Sequence, residues 1–224
     1  MERGNPPEEV PPKTRLGKAS IMSRRSVFYL FMGTGLLFTC GYFVATKANL
    51  NRSKSVGQVI DEFNRIRVYF NGGVHHSSGR NLAPDGYNLG IKYQCVEFVK
   101  RYYFERFGHK MPDSYGHAKD FFNPAVVDGS PNPKRALLQF RNGSLTKPLS
   151  EDVLVFGPSL FNPYGHIAII STVKNDRLEI IQQNPGPFSN SREIFKLTST
   201  SGNWIIENKR VLGWLRIPKN PADR

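Results

Sequence analysis

Two short segments hold the residue types of a nucleophilic site. Tyr93-Gln94-Cys95-Val96-Glu97-Phe98 carries a thiol, and Tyr164-Gly165-His166-Ile167-Ala168-Ile169 carries an imidazole able to take its proton. Thiolate is the attacking form of cysteine, and an adjacent histidine or a helix N-terminus favours it. Val96, Val99, Tyr103 and Phe107 fall near one face at helical spacing, so Cys95 is expected at the start of a helix, with Gly90 and Lys92 in the loop before it. The unpaired N–H groups there also suit a developing oxyanion. The competing reading of Cys95 is a small buried core residue.

The elements that must position the pair follow from periodicity. Val153–Phe156, Ile167–Val173 and Leu178–Gln183 read as strands, the last two forming an antiparallel hairpin around Asn175-Asp176, and Val211–Ile217 adds another. His166 then lies at the mouth of a strand. Gln182 and Asn184 on the partner strand share a face, because strand side chains alternate, and either amide is suited to orient the ring. Their competing role is to cap the strand end before Pro185-Gly186. Earlier in the chain, Gln58–Ile66 is expected to be a short amphipathic helix, Val68–Phe70 a strand entering a turn at Asn71-Gly72-Gly73, and Asp128–Pro133 a loop. Helices first and strands afterwards indicate an α+β domain.

The chain has 224 residues, 39% of them hydrophobic, with 16 prolines and two cysteines, which excludes a disulfide framework and leaves room for one ordinary domain. Cys40 lies in the uncharged apolar run from Val27 to Ala45, away from Cys95. At about 1.5 Å per residue that run nearly spans a hydrocarbon core of about 30 Å. Lys13, Arg15, Lys18, Arg24 and Arg25 before it outnumber Lys47, Arg52 and Lys54 after it, so the N-terminus is expected in the cytoplasm and the domain across the membrane. The alternative is a cleaved export signal: Ser23-Arg24-Arg25-Ser26 is similar to a twin-arginine motif, and Thr46-Lys47-Ala48 offers a poor cleavage site. The expected organisation is a disordered basic tail (1–26), a transmembrane signal anchor (27–45), a linker (46–58), the catalytic domain (59–217) and a short tail (218–224).

Lys92 through Tyr102, Tyr164 through Ile170 and Gln183-Asn184, with Phe140-Arg141-Asn142-Gly143-Ser144 and Leu212-Gly213-Trp214, resemble the CHAP domain of cysteine, histidine-dependent amidohydrolases and peptidases, in particular the amidase domain of glutathionylspermidine synthetase/amidase. The resemblance implies a papain-like α+β fold of the NlpC/P60 kind, a nucleophile helix packed on an antiparallel sheet. It implies Cys95 as nucleophile and His166 as general base and later acid. Where the family usually has a glutamate, this chain has Gln182; Asn184 matches the asparagine two positions on. Gln94 and Lys100, within the nucleophile motif, are candidates for oxyanion or substrate contact.

The implied reaction is amide hydrolysis through a thioester, with no metal or organic cofactor. His75-His76, His109 and His117 lack metal-ligand spacing. Residues 51–224 carry 24 Lys and Arg against 15 Asp and Glu, and this balance of +9 suits anionic polymers, so a cell-wall peptide amide is the expected substrate, whereas the resemblance points to a glutathionylspermidine-type amide. The basic residues are dispersed and accompany no nucleic-acid motif, so nucleic acid is not an expected partner, nor is an obligate protein partner. Loss of the glutamate also leaves open a catalytically silent binding protein on the same fold.

Overall fold

The structure, a computed structural model, describes residue 1 and residues 23–160 and 162–218. Most of the expected disordered N-terminal tail, and the C-terminal tail from 219, lie outside the described residues. The chain divides into two compact units, Met1–Gly41 and Tyr42–Arg224.

In the first unit the described chain is mainly the start of helix α1 (Arg24–Lys47), whose 24 residues include none that is buried. By length and composition α1 is able to cross a membrane. A helix so apolar with no buried face has no protein core to explain its composition.

The second unit holds the last turns of α1, a second helix α2 (Cys95–Phe107) and twelve strands. These are β1 (Val59–Phe63), β2 (Ile66–Tyr69), β3 (Arg80–Leu82), β4 (Asn88–Ile91), β5 (Ser130–Asn132), β6 (Leu137–Arg141), β7 (Val153–Phe156), β8 (His166–Val173), β9 (Arg177–Ile181), β10 (Arg192–Thr200), β11 (Asn203–Ile206) and β12 (Val211–Arg216). Hairpins β1-β2 and β3-β4 stand apart from an antiparallel eight-stranded sheet of order β11-β10-β9-β8-β7-β12-β6-β5. The edge strand β11 does not stay open: Trp204 exchanges backbone hydrogen bonds with Gly143 and Ser144, just beyond β6, rolling the sheet toward closure.

Each face of the central strands is buried. Ile167, Ile169, Ile181, Val153, Val155 and Leu215 meet α2 through Phe98, Val99, Tyr102 and Tyr103. The alternate residues Ala168, Ile170, Ile180, Leu154 and Trp214 form a second core on the opposite face. This period-two division governs the site, because Gln182 and Gln183 continue the two faces that Ile180 and Ile181 begin.

Several expectations change. Gln58–Ile66 is a hairpin, not a helix: Asn64 and Arg65 have φ of 51° and 69°, the paired left-handed conformation of a tight two-residue turn. Phe63, spaced as for a helical face, instead stacks on Tyr102. Within the expected loop Asp128–Pro133, β5 pairs with β6. On α2 the buried stripe is Phe98, Val99, Tyr102 and Tyr103, while Phe107 is exposed. Residues 46–58 pack against the domain: Thr46 accepts from the His75 N–H (2.8 Å), and the Asn51 amide donates to the Pro187 carbonyl (2.8 Å).

Candidate active site

α2 begins at Cys95 with Gln94 as its N-cap residue and ends at Gly108, which has φ 62°. Gln94 makes no side-chain cap, so no side chain from that position covers the first N–H groups of the helix. The Cys95 sulfur lies against the N–H groups of Ile167, Val96 and Cys95 itself. Ile167 follows His166 in β8, so the sulfur and the His166 backbone lie at one end of the sheet.

Cys95 and His166 are each about 8% exposed. Burial pushes the Cys95 thiol up to about 11, outweighing the backbone N–H groups that favour thiolate. Burial thus works against the helix-start N–H groups expected to favour thiolate. Burial brings His166 down to about 4, against the hydrogen bond that its Nε2–H donates to Gln182, which favours the charged form, and the positive Arg210 adds a smaller lowering. Among the described residues no hydrogen bond joins Cys95 to His166. Burial thus favours the neutral form of each group, thiol and imidazole alike.

Gln182 fixes the ring. His166 Nε2 lies 2.9 Å from Gln182 Oε1. The other end of that amide faces the Asn190 carbonyl (3.3 Å) and the Glu193 carboxylate (3.4 Å), both acceptors, so Nε2 of Gln182 must point there and its oxygen toward His166. An oxygen can only accept, so His166 is protonated on Nε2, leaving Nδ1 as the free base. A neutral amide thus sets the tautomer as a carboxylate does, without stabilising the imidazolium by charge.

Asn184, the other candidate for this role, does not touch the ring. Its φ of 56° departs from strand geometry, and its amide donates to the Val74 carbonyl (2.8 Å) and Gln94 Oε1 (2.7 Å). Gln94 in turn donates to the carbonyls of Val74 (3.2 Å) and His76 (2.7 Å), so its side chain is consumed by scaffolding and is no oxyanion donor. Lys100 is likewise withdrawn: buried, it donates to the carbonyls of Asn88 and Ser114 and lies over the Tyr87 ring. It ties β4 to the loop after α2 and takes no part in the site.

Sequence reasoning missed Gln183 and Glu97. Gln183 is fully buried; it donates to the Gln94 carbonyl (3.0 Å) and Glu97 Oε2 (2.8 Å) and accepts from the Tyr69 N–H (2.8 Å). Glu97 also takes hydrogen bonds from Asn81 and Arg101. The alternation that sends Gln182 to His166 sends Gln183 to α2, a signal present in the sequence. Gly165 is required just before His166: at φ 74°, a Cβ there would stand 2.6 Å from the Phe156 carbonyl oxygen. A cleft of about 420 Å³ opens beside His166, lined by Gln182, Asn184, Phe156, Arg192, Glu193 and Arg210 among others. Among the described residues no group of three or more His, Cys, Asp or Glu is arranged to hold a metal ion.

Residues 85–184 match the CHAP domain family. The chain is 30% identical over 164 residues to trypanothione synthetase of Crithidia fasciculata, covering 68% of this chain and 25% of that protein. It is 33% identical over 148 residues to the bifunctional glutathionylspermidine synthetase/amidase of Escherichia coli (strain K12), covering 61% and 23%. The chain therefore spans about a quarter of the length of these relatives. Among solved structures, the wild type endolysin LysIME-EF1 aligns at 22% identity and a TM-score of 0.36, over 63% of this chain and 59% of that one. The segment carrying Cys95, His166, Gln182 and Asn184 lies within the family match, and residues 85–184 of this chain are a CHAP domain.

Proposed function

We propose that this chain is a membrane-anchored cysteine amidase on a papain-like scaffold, exported across the membrane and acting on peptide amide bonds of the cell wall. The observation that carries the chemistry is the His166–Gln182 hydrogen bond, which leaves Nδ1 unprotonated at the sheet end where the Cys95 sulfur lies. As the sulfur bonds to the amide carbonyl carbon, the thiol proton passes to His166 Nδ1. Because burial holds both groups neutral, this transfer accompanies attack rather than preceding it. The oxyanion is met by N–H groups at the start of α2. His166 then protonates the amine nitrogen as the C–N bond breaks, leaving a thioester on Cys95. Water attacks it, giving its proton to His166, and the acid leaves as the thiol is restored.

Export is supported by the apolar α1 and by the excess of basic residues before it. A retained anchor fits better than cleavage after Ala48, which would remove the Thr46 carbonyl that holds the His75 N–H. Residues 51–224 carry 24 Lys and Arg against 15 Asp and Glu, a balance of +9 that favours an anionic polymer substrate. A second reading, a glutathionylspermidine-type amidase, is favoured by the identity to the E. coli synthetase/amidase.

The test is incubation of the full chain in detergent with purified peptidoglycan and, separately, with glutathionylspermidine, followed by mass spectrometry of released amines. Release that Cys95→Ala and His166→Ala each abolish supports an amidase and names its substrate. Release from neither substrate leaves the binding-protein alternative and removes this proposal.

A further inference from the structure

The cleft beside His166 carries three charged side chains, and their pairing differs. Arg192 is spent within the protein, held by Asp61 (2.9 Å) and Glu179 (2.8 Å). Arg210 has no carboxylate partner among the described residues; its guanidinium reaches only the Gly157 carbonyl, at 3.3 and 3.4 Å. Glu193 has no cationic partner among the described residues and takes only the 3.4 Å contact from Gln182. An unpaired cation and an unpaired anion thus line one concavity, of a size that holds a small ligand.

Their placement relative to the chemistry is specific. Arg210 lies 5.9 Å from the centre of the Phe156 ring, and that ring lies 5.9 Å from the His166 ring, so the guanidinium and the imidazole border the same aromatic side chain. Glu193 faces the nitrogen end of the amide whose oxygen holds His166. Arg210 is near enough for its charge to help keep His166 neutral.

We propose that this cleft is a subsite for a zwitterionic amino-acid terminus of the substrate, Arg210 taking the carboxylate through its planar fork and Glu193 taking the ammonium. The proposal deepens the amidase reading and rests on it for calling the ligand a substrate. It selects amides close to a free amino-acid end over amides in the middle of a capped polymer. A γ-linked glutamyl group, as in a glutathione conjugate, and the free end of a diamino acid in a cell-wall stem peptide both present this chemistry.

The test separates binding from catalysis by using the full-length Cys95→Ala chain in detergent and titration calorimetry. The probes are glutathione and the stem tripeptide L-Ala-γ-D-Glu-meso-diaminopimelate, each free, N-acetylated, or amidated at its carboxylates. For the probe that binds, each cap is expected to weaken binding at least tenfold, and which probe binds names the source. Adding Arg210→Ala should erase the penalty of amidation alone, and Glu193→Ala that of acetylation alone. These ratios are insensitive to the effect Glu193 has on His166 through Gln182. Caps that change binding less than twofold, substitutions that weaken free and capped probes equally, or no binding of either free probe at millimolar concentration each overturn the subsite. Hydrolysis by the unmodified chain is read separately, so selective binding without turnover removes the amidase reading and leaves the subsite.

Discussion

The neutral partner of His166 makes a quantitative prediction. Replacing Gln182 with glutamate sets a full negative charge against Nε2, where the amide oxygen now lies 2.9 Å away. With charge centres about 4 Å apart and an effective dielectric near 20, the attraction is about 4 kcal/mol, or about three pH units on the imidazolium. Burying the new carboxylate offsets part of this, leaving a rise of about one to two units. His166 should move from about 4 in the native protein to roughly 5 or 6. The single substitution is a poor test, because Gln182 now faces Glu193 at 3.4 Å and two carboxylates there would share a proton. The variant to make is Gln182→Glu with Glu193→Gln, which supplies the new carboxylate with a donor. The assay is the pH profile of kcat/KM, with the His166 ring protons followed by NMR. A neutral base loses activity as pH falls through its pKa, so the acid limb should shift upward by at least one unit, with the ring titrating in parallel. An acid limb and a ring titration within half a unit of the native protein would show that Gln182 does not set the electrostatics of this histidine.

Other outcomes follow from the same contacts. His166 is held neutral, so the unfolded chain binds its proton first; stability is full above about 6.5 and is lost as pH falls toward about 4, by about 3 kcal/mol. Denaturant unfolding at pH 7 and pH 4 checks this, and His166→Gln should flatten that part of the profile. Gln183→Leu strips Glu97 Oε2 of a buried donor and should cost about 2 to 3 kcal/mol in the same assay, whereas a loss under 0.5 kcal/mol would mean that α2 is held without it. Gly165→Ala meets both a left-handed φ and a close carbonyl, and should lower stability by about 1 to 3 kcal/mol while shifting His166; an unchanged ring titration would count against the need for glycine there. Mass spectrometry of the membrane-extracted chain should find the residues of α1 retained; a mature N-terminus at Asn49 would remove the anchor.

Much of the site was legible because two periodicities carry it. Helical spacing located the start of α2, and alternation located His166 at a strand mouth with Gln182 across the hairpin. For the misread polar side chains the physical reason is that chain neighbourhood does not tell where their hydrogen bonds end. Gln94 and Lys100 lie next to the nucleophile in sequence, yet both are consumed in fixing loop carbonyls. Gln58–Ile66 was misread because three apolar residues satisfy a helical stripe as well as they satisfy a twisted hairpin, and only the left-handed Asn64-Arg65 pair decides between them. The thiol's upward shift was invisible in sequence, since it depends on burial that only the packed sheet supplies.

The three residues Gln182, Gln183 and Asn184 show why the departure from glutamate does not dismantle the site. Alternation sends the first amide to His166 and the second to Glu97 and the Gln94 carbonyl. The left-handed turn at the third then carries its amide to Gln94 and Val74. One run of chain therefore fixes the ring, the start of the nucleophile helix and the loop that backs it, all through neutral amides whose orientation is dictated by their partners. A glutamate at 182 would add charge to the first of these links and nothing to the other two. The geometry of the pair is consequently independent of that charge, and what the charge controls is the ease of forming the imidazolium. A chain that lacks it is expected to retain the architecture and to differ in its pH dependence, which is why the acid limb, rather than the presence of activity, is the sensitive measure of residue 182.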